Sequence, residues 1–272
     1  MAKEDLATGF TDVDRMTNPE VAVQAMDAAT ARETNQVRRQ QTFALLEAQE
    51  GCCFLDVGCG PGDAVRALAQ IVGVSGRVVG VDSSETMIAE ARKRAQGTNL
   101  PVEYYVGDAH HLDFADNTFD GCRSERTLQH VDDPRQVLRE MFRVARAGAR
   151  LVVLEPDWGT FVIDAPDRTL TRTLLNFFCD SIRNGWIGRQ LPGLFREAQL
   201  LEVAVVADTV SGTNLTAVDQ ILGLRKTVGR AQEAGVVSVA EAARWMNSVE
   251  TAHQAGHFFY AVTMFCVSGR KP

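Results

Sequence analysis

Along the middle of the chain, short apolar runs of strand length alternate with stretches whose apolar residues return every three or four positions. The runs predict strands at 53–57, 77–81, 102–106, 119–123 and 149–154, and the stretches between them predict helices. This β-α-β-α alternation gives an α/β fold class, a mostly parallel sheet with helices on both faces. Two further strands, at about 201–209 and 257–268, are predicted to bring the sheet to seven. In open sheets of this kind ligands bind outside the carboxyl ends of the strands, so the site is expected there.

Two helices are predicted ahead of the first strand. Asn18-Pro19-Glu20 joins an N-cap, a proline at the first helical position and an acid in the first turn, and opens a helix to about Thr30. A second helix, from about Glu33 to Gln49, carries Val37, Phe43, Leu45 and Leu46. Residues 1–50 read either as a helical lid or as a cover for the edge of the sheet, and residues 51–272 as one core with helical insertions at about 156–188 and 211–256. Within the first insertion, Glu155 to Asp167 reads as an aromatic loop and Leu170 to Ile182 as a helix. Two helices are expected between the sixth and seventh strands, the second opened by a Ser238 to Glu241 capping box.

The first strand breaks into three glycines within five residues, Gly58, Gly60 and Gly62. They permit positive φ and let a ligand lie against bare backbone, while the next helix offers free N–H groups. A dinucleotide fingerprint would put its third glycine where Asp63 stands and rest a pyrophosphate on the helix N-terminus. A carboxylate there repels phosphate. The second strand ends in Asp82, at the spacing of about 20 residues from which an acid reaches a ribose. A nucleoside without phosphates fits these features.

The ordered motifs D-V-G-C-G-P-G, V-D-S-S-E-T-M and G-D-A, at residues 56–62, 81–87 and 107–109, resemble those of the class I S-adenosylmethionine-dependent methyltransferases, and the likeness runs from about Cys53 to Val206. It implies a Rossmann-like fold, S-adenosyl-L-methionine as cofactor and methyl transfer to a small molecule. It sets the turn from Gly58 to Gly62, with Asp56 and Cys59, against the methionine moiety and ribose. Asp82 would take both ribose hydroxyls, with Ser83 beside it among the cofactor-binding residues; Met87 would lie near the adenine, Asp108 and Ala109 would meet its exocyclic amine, and the backbone of Ser124 the methionine end. Met87 has a second reading, as core packing. Residues 123–134, with the run L-Q-H-V-D-D-P, resemble a segment of the quinone and natural-product methyltransferases, which implies His130 beside the transferred methyl group. His130 would serve there as general base or as a hydrogen-bonded organiser of the turn. Glu125, Arg126 and Gln129 depart from the small or apolar residues common at their positions.

Composition narrows the partners. A formal net charge of −7 over 272 residues argues against a nucleic-acid substrate, which needs a basic face. Six cysteines without paired C-x-x-C spacing read as reduced thiols of a cytoplasmic protein, and Cys59 as a small filler. No apolar run approaches the roughly 20 residues of a membrane span. His253 and His257 are four apart but lack the glutamate of H-E-x-x-H, so no metal is expected. A homodimer is left open. The acceptor pocket is expected under the lid and the insertions, walled by Trp158, Phe161, Phe178 and Trp186; the other reading has these aromatics sealing helices onto the sheet. The function expected is methyl transfer to an oxygen, carbon or nitrogen of a small, largely apolar metabolite, achieved mainly by positioning. Its rivals are a nicotinamide-dependent oxidoreductase and a protein that binds S-adenosylmethionine without transferring the methyl group.

Overall fold

The computed structural model describes residue 10 and residues 12–30 and 33–272; the remainder of the expected lid lies outside the described residues. Helices α1 (Glu20–Thr30) and α2 (Glu33–Leu45) precede β1 (Cys53–Val57). The alternating unit follows as α3 (Asp63–Val72), β2 (Arg77–Asp82), α4 (Glu85–Ala95), β3 (Val102–Val106), β4 (Phe119–Glu125), α5 (Pro134–Val144) and β5 (Ala145–Ile163). Helices α6 (Arg168–Asp180) and α7 (Ile187–Glu197) lead to β6 (Leu201–Gly212). The chain closes with α8 (Leu215–Leu222), α9 (Leu224–Glu233), α10 (Val239–Gln254) and β7 (Tyr260–Arg270).

The seven strands lie in the order β3-β2-β1-β4-β5-β7-β6. Strands β1 to β5 pair in parallel, and β7 runs antiparallel to both β5 and β6. The chain therefore works outward from β1 to β3 and restarts at β4 on the other side of β1, which leaves a crevice at the carboxyl ends of β1 and β4. Alternation along the strands divides the core. Leu55, Val57, Leu151 and Val153 join one cluster with residues of α5 and α7. Phe54, Val78, Val152 and Leu154 join another with residues of α2, α3 and α4. Among the described residues no helix is long and apolar enough to cross a membrane.

The structure departs from expectation in three places. β5 does not stop at residue 154 but continues to Ile163, because β7 goes on pairing with it at Glu155, Pro156, Asp157, Val162 and Ile163. Past Leu154 it has lost β4 as a neighbour, an edge condition that accommodates Pro156. The stretch that reads as an aromatic loop is thus mostly strand. Three helices, not two, separate β6 from β7, since Gly223, with φ of +61°, breaks one apolar run into α8 and α9. Helix α2 ends at Leu45 rather than near Gln49, where Glu47 takes positive φ.

The end of β5, the start of β7 and helices α6, α8, α9 and α10 enclose a third apolar cluster. Its aromatic centre is edge-to-face: the rings of Trp158 and Phe178 lie 5.1 Å apart at 83°, and Phe161 is 5.6 Å from Phe178. Trp186, by contrast, is half exposed and stacks under the Arg189 guanidinium at 4.8 Å. Phe178→Ala is expected to cost about 3–5 kcal/mol in urea unfolding, as for a buried aromatic. Trp186→Ala should cost less than about 1 kcal/mol, the value of an exposed cation–π contact.

Candidate functional site

At the end of β1 the backbone turns back at once. The N–H groups of Gly58 and Cys59 both donate to the Val81 carbonyl of β2, at 2.8 and 3.0 Å. Gly58, Gly60 and Gly62 hold φ of +73°, +52° and +77°, where side chains are strained. Space is a second constraint, for a Cβ on Gly58 would stand 2.0 Å from Thr127 Oγ1. Asp82 closes β2 and turns one carboxylate oxygen to the Gly60 N–H (2.8 Å) and the other to the Ser84 N–H (3.0 Å). Each oxygen keeps a second lone pair for a ligand. Burial pushes the Asp82 carboxyl above its ordinary value, against the pull of those two hydrogen bonds. Ser84 caps α4 by accepting from the Met87 N–H at 3.2 Å. Asp14 reaches across from the amino-terminal segment and accepts from Ser84 Oγ and the Glu85 and Thr86 N–H groups, at 2.7, 2.7 and 3.1 Å.

These elements open on a cavity of about 520 Å³, within the range of about 300–1,000 Å³ usual for small-molecule sites. Gly58, Gly60, Asp82 and Ser83 line it, as do Met87, Asp108, Ala109 and His130. Met87, besides lining the cavity, is buried against Val13 and Ala22, as its core-packing reading has it. For Asp108, burial pushes upward but the His110 backbone and ring hydrogen bonds outweigh it, so its carboxyl sits below the ordinary value.

The other expected cofactor residues lie off the cavity. Asp56 is buried in an ion pair with Arg123. Cys59 is buried beneath the turn beside Gly80, and burial pushes its thiol well above the ordinary value. Gly62 faces the Tyr104 ring, 2.7 Å from where its Cβ would be. Ser124 is buried in β4 and its hydroxyl has no hydrogen-bond partner among the described residues.

None of the four expected pocket aromatics lines the cavity. Trp158, Phe161 and Phe178 pack on one another in the third cluster, where burial against α6 and α10 holds them, and Trp186 lies at the surface. The insertions do reach the cavity, through the polar Arg183, in the turn between α6 and α7, and Gln220 of α8. From the amino-terminal segment come Phe10, Val13 and Met26, with the Phe10 ring 6.0 Å from the His130 ring and tilted 41° to it. Glu125, Arg126, Thr127 and Gln129 also line the site. Three of these four were visible in the sequence as departures from the motif; Arg183 and Gln220 gave no local signal.

Charged groups are stacked beneath this surface. Arg123, fully buried, holds both Asp56 oxygens at 3.0 Å and Glu125 Oε2 at 2.6 Å. Burial drives the Asp56 carboxyl up to about 6 in spite of Arg123. At Glu125 burial also raises, but Arg126, Arg123 and Arg39 together overcome it and leave that carboxyl below its ordinary value. The loop from Arg126 to His130 is gripped from below by Glu155 of β5, whose Oε1 accepts from the Thr127 and Leu128 N–H groups at 2.8 and 2.6 Å. Complete burial pushes Glu155 up to about 8, so its carboxyl is largely protonated at neutral pH. Burial, with the positive charges of Arg126 and Arg183, holds His130 down at about 4, a neutral imidazole.

These shifts set a pH dependence of stability. Between pH 6.5 and 8 the folded chain keeps the Glu155 proton that the unfolded chain has released, so stability falls as pH rises through this window. The slope approaches about 1.4 kcal/mol per pH unit at most. Below 6.5 the depressed His130 acts in the opposite sense, which confines the clean reading to the upper window. Urea unfolding at pH 6.5 and 8 should show the decline, and Glu155→Gln should flatten it.

The family described as Methyltransferase domain matches residues 55–153. An uncharacterized 37.1 kDa protein in transposon TN4556 of Streptomyces fradiae is 44% identical over 224 residues, which are 82% of this chain and 63% of that protein. The chain thus spans less than two thirds of that relative's length. The demethylmenaquinone methyltransferase of Listeria monocytogenes is 34% identical over 177 residues, 61% of this chain and 74% of that enzyme. A solved structure of phosphoethanolamine N-methyltransferase 2 from Haemonchus contortus, in complex with phosphomonomethylethanolamine and S-adenosylhomocysteine, shares the fold. Its TM-score is 0.60 at 20% identity, covering 97% of this chain and 60% of that one. Carried over 74% of a methyltransferase's length, 34% identity makes the chain a member of the class I S-adenosylmethionine-dependent methyltransferases.

Proposed function

We propose that the protein transfers a methyl group from S-adenosylmethionine to an oxygen, nitrogen or carbon nucleophile of a small metabolite. The observation that carries this reading is the single cavity shared by the two acids of the nucleoside end, Asp82 and Asp108, and by His130. Asp82 has lone pairs left for ribose hydroxyls, and the bare backbone at Gly58 and Gly60 admits the chain that joins ribose to sulfur. When bound, S-adenosylmethionine would supply an electrophilic methyl carbon on a sulfonium whose leaving group is a neutral thioether. The residues around it hold the acceptor in line. Positioning of this kind can supply roughly 7–11 kcal/mol of a barrier.

His130 is neutral and can take a proton from the acceptor, but held at about 4 it is a weak base beside the near-neutral optimum for such catalysis. Positioning therefore leads in this mechanism. The acidic position at 63, which pairs with Arg66, and membership of the methyltransferases set the nicotinamide reading aside. The expectation of a largely apolar acceptor rested on aromatics that lie outside the cavity. Although the Listeria relative is named for demethylmenaquinone, the cavity that holds His130 is also lined by the charged Arg126, Asp132 and Arg183.

Asp82→Ala should weaken S-adenosylmethionine and S-adenosylhomocysteine alike, by about 1.5–3 kcal/mol, the worth of hydrogen bonds to a charged group. Calorimetry in which either affinity is unchanged would reject the ribose assignment. For His130→Ala, single-turnover methyl transfer is expected to slow by less than about tenfold with cofactor affinity intact; a loss of about 10²–10⁴-fold would make His130 a general base after all.

A further inference from the structure

We propose that the methyl acceptor carries an anionic group, a carboxylate or similar oxyanion, which docks on the Arg183 guanidinium beside His130. The proposal rests on the methyltransferase reading, which assigns the Asp82 and Asp108 end of the cavity to the nucleoside and leaves the space around His130 for the acceptor. Gln129, Asp132, Arg183 and Gln220 line the cavity with His130 and Phe10, while Trp158, Phe161 and Phe178 are elsewhere.

Arg183 is built into this space. The next residue, Asn184, donates its backbone N–H to the Gln129 carbonyl at 3.1 Å. Its side-chain amide donates to the carbonyls of Leu128 and Val131 at 2.8 and 2.7 Å. The Trp158 N–H then donates to the Gly185 carbonyl at 2.9 Å. The turn bearing Arg183 is thus tied to the loop bearing His130 through the residue that follows the arginine. Arg126 lines the same cavity, and its guanidinium faces Glu125 at 3.6 Å. Glu125 itself is occupied by Arg123.

Arg183 pairs with Asp132, whose side chain is 80% exposed. An ion pair so open to water contributes little, and Asn184 already joins the two loops. Asp132 therefore serves as a displaceable partner that occupies the fork until a better-buried anion enters, and a guanidinium fork suits a carboxylate. Had the pair been a clamp between loops, loss of either member would loosen the site in the same way.

The test uses protein saturated with S-adenosylhomocysteine and titrated by calorimetry with benzoate and with benzamide, one ring with and without the charge. Wild-type protein should prefer benzoate by about tenfold, in line with a charge-assisted hydrogen bond. Arg183→Gln should erase the preference, whereas Asp132→Asn should tighten benzoate severalfold by freeing the fork. Equal affinity for the two probes, including no measurable binding of either, overturns the proposal, as does a shift of both variants in the same direction. Failure of S-adenosylhomocysteine itself to bind overturns the methyltransferase reading and this inference with it; intact binding without a benzoate preference overturns the inference alone.

Discussion

The loop after β4 brings Arg126, Thr127, Gln129 and His130 to the cavity, yet its N–H groups at residues 127 and 128 belong to no strand or helix, and Glu155 accepts both. Left unmade in a buried setting, each would cost about 1–3 kcal/mol. The rest of the site hangs from this contact. Thr127 stands against Gly58 so closely that no side chain fits between them, and the Gly58 turn is in turn pinned to Val81 at the end of β2. One carboxyl in β5 thereby sets the separation between the acceptor loop and the cofactor turn.

A second buried assembly, Asp56 with Arg123 and Glu125, lies beside this chain of contacts. Taking three charges out of water is costly, and removing one member would strand the others, a loss of about 3–5 kcal/mol for a buried pair. Its geometry explains why the acid of the glycine motif does not face the ligand. Arg123 claims Asp56 from the neighbouring strand, and the carboxylate presented to the cavity is Glu125, two residues further along β4.

The parts of the molecule written in local pattern were legible in the sequence. The strands β1 to β4, the glycine turn, the acid ending β2 and the Ser238 to Glu241 capping box depend on residues near one another in the chain, and the structure has them where the pattern put them. Asp56, Gly62 and Ser124 show the limit of motif reading: a motif fixes the backbone path but not which way a side chain is claimed by a partner such as Arg123 or Tyr104. The course of β5 was hidden because Glu155, Pro156 and Asp157 look like loop residues; only pairing with β7, about a hundred residues later, makes them strand. The same holds for Trp158, which sends its indole N–H to Gln129 at 2.7 Å and so supports the cavity without entering it. Arg183 and Gln220 arrive from insertions whose packing no nearby residue announces.

The reach of β5 from Ala145 to Ile163, across a break in its pairing with β7 between Asp157 and Val162, also governs how the molecule opens. Its first half is paired with β4 in the shared core and its last residues, Phe161 and Ile163, are sealed into the helical cluster with α6 and α10. Protein segments open in contiguous cooperative units rather than residue by residue. A cap attached through flexible linkers would breathe independently of the enzyme beneath it. Here the strand that ends in the cap is the strand that holds Glu155, so opening of the cap and release of the His130 loop belong to one unit, with amide protons on both sides of it exchanging on a common clock.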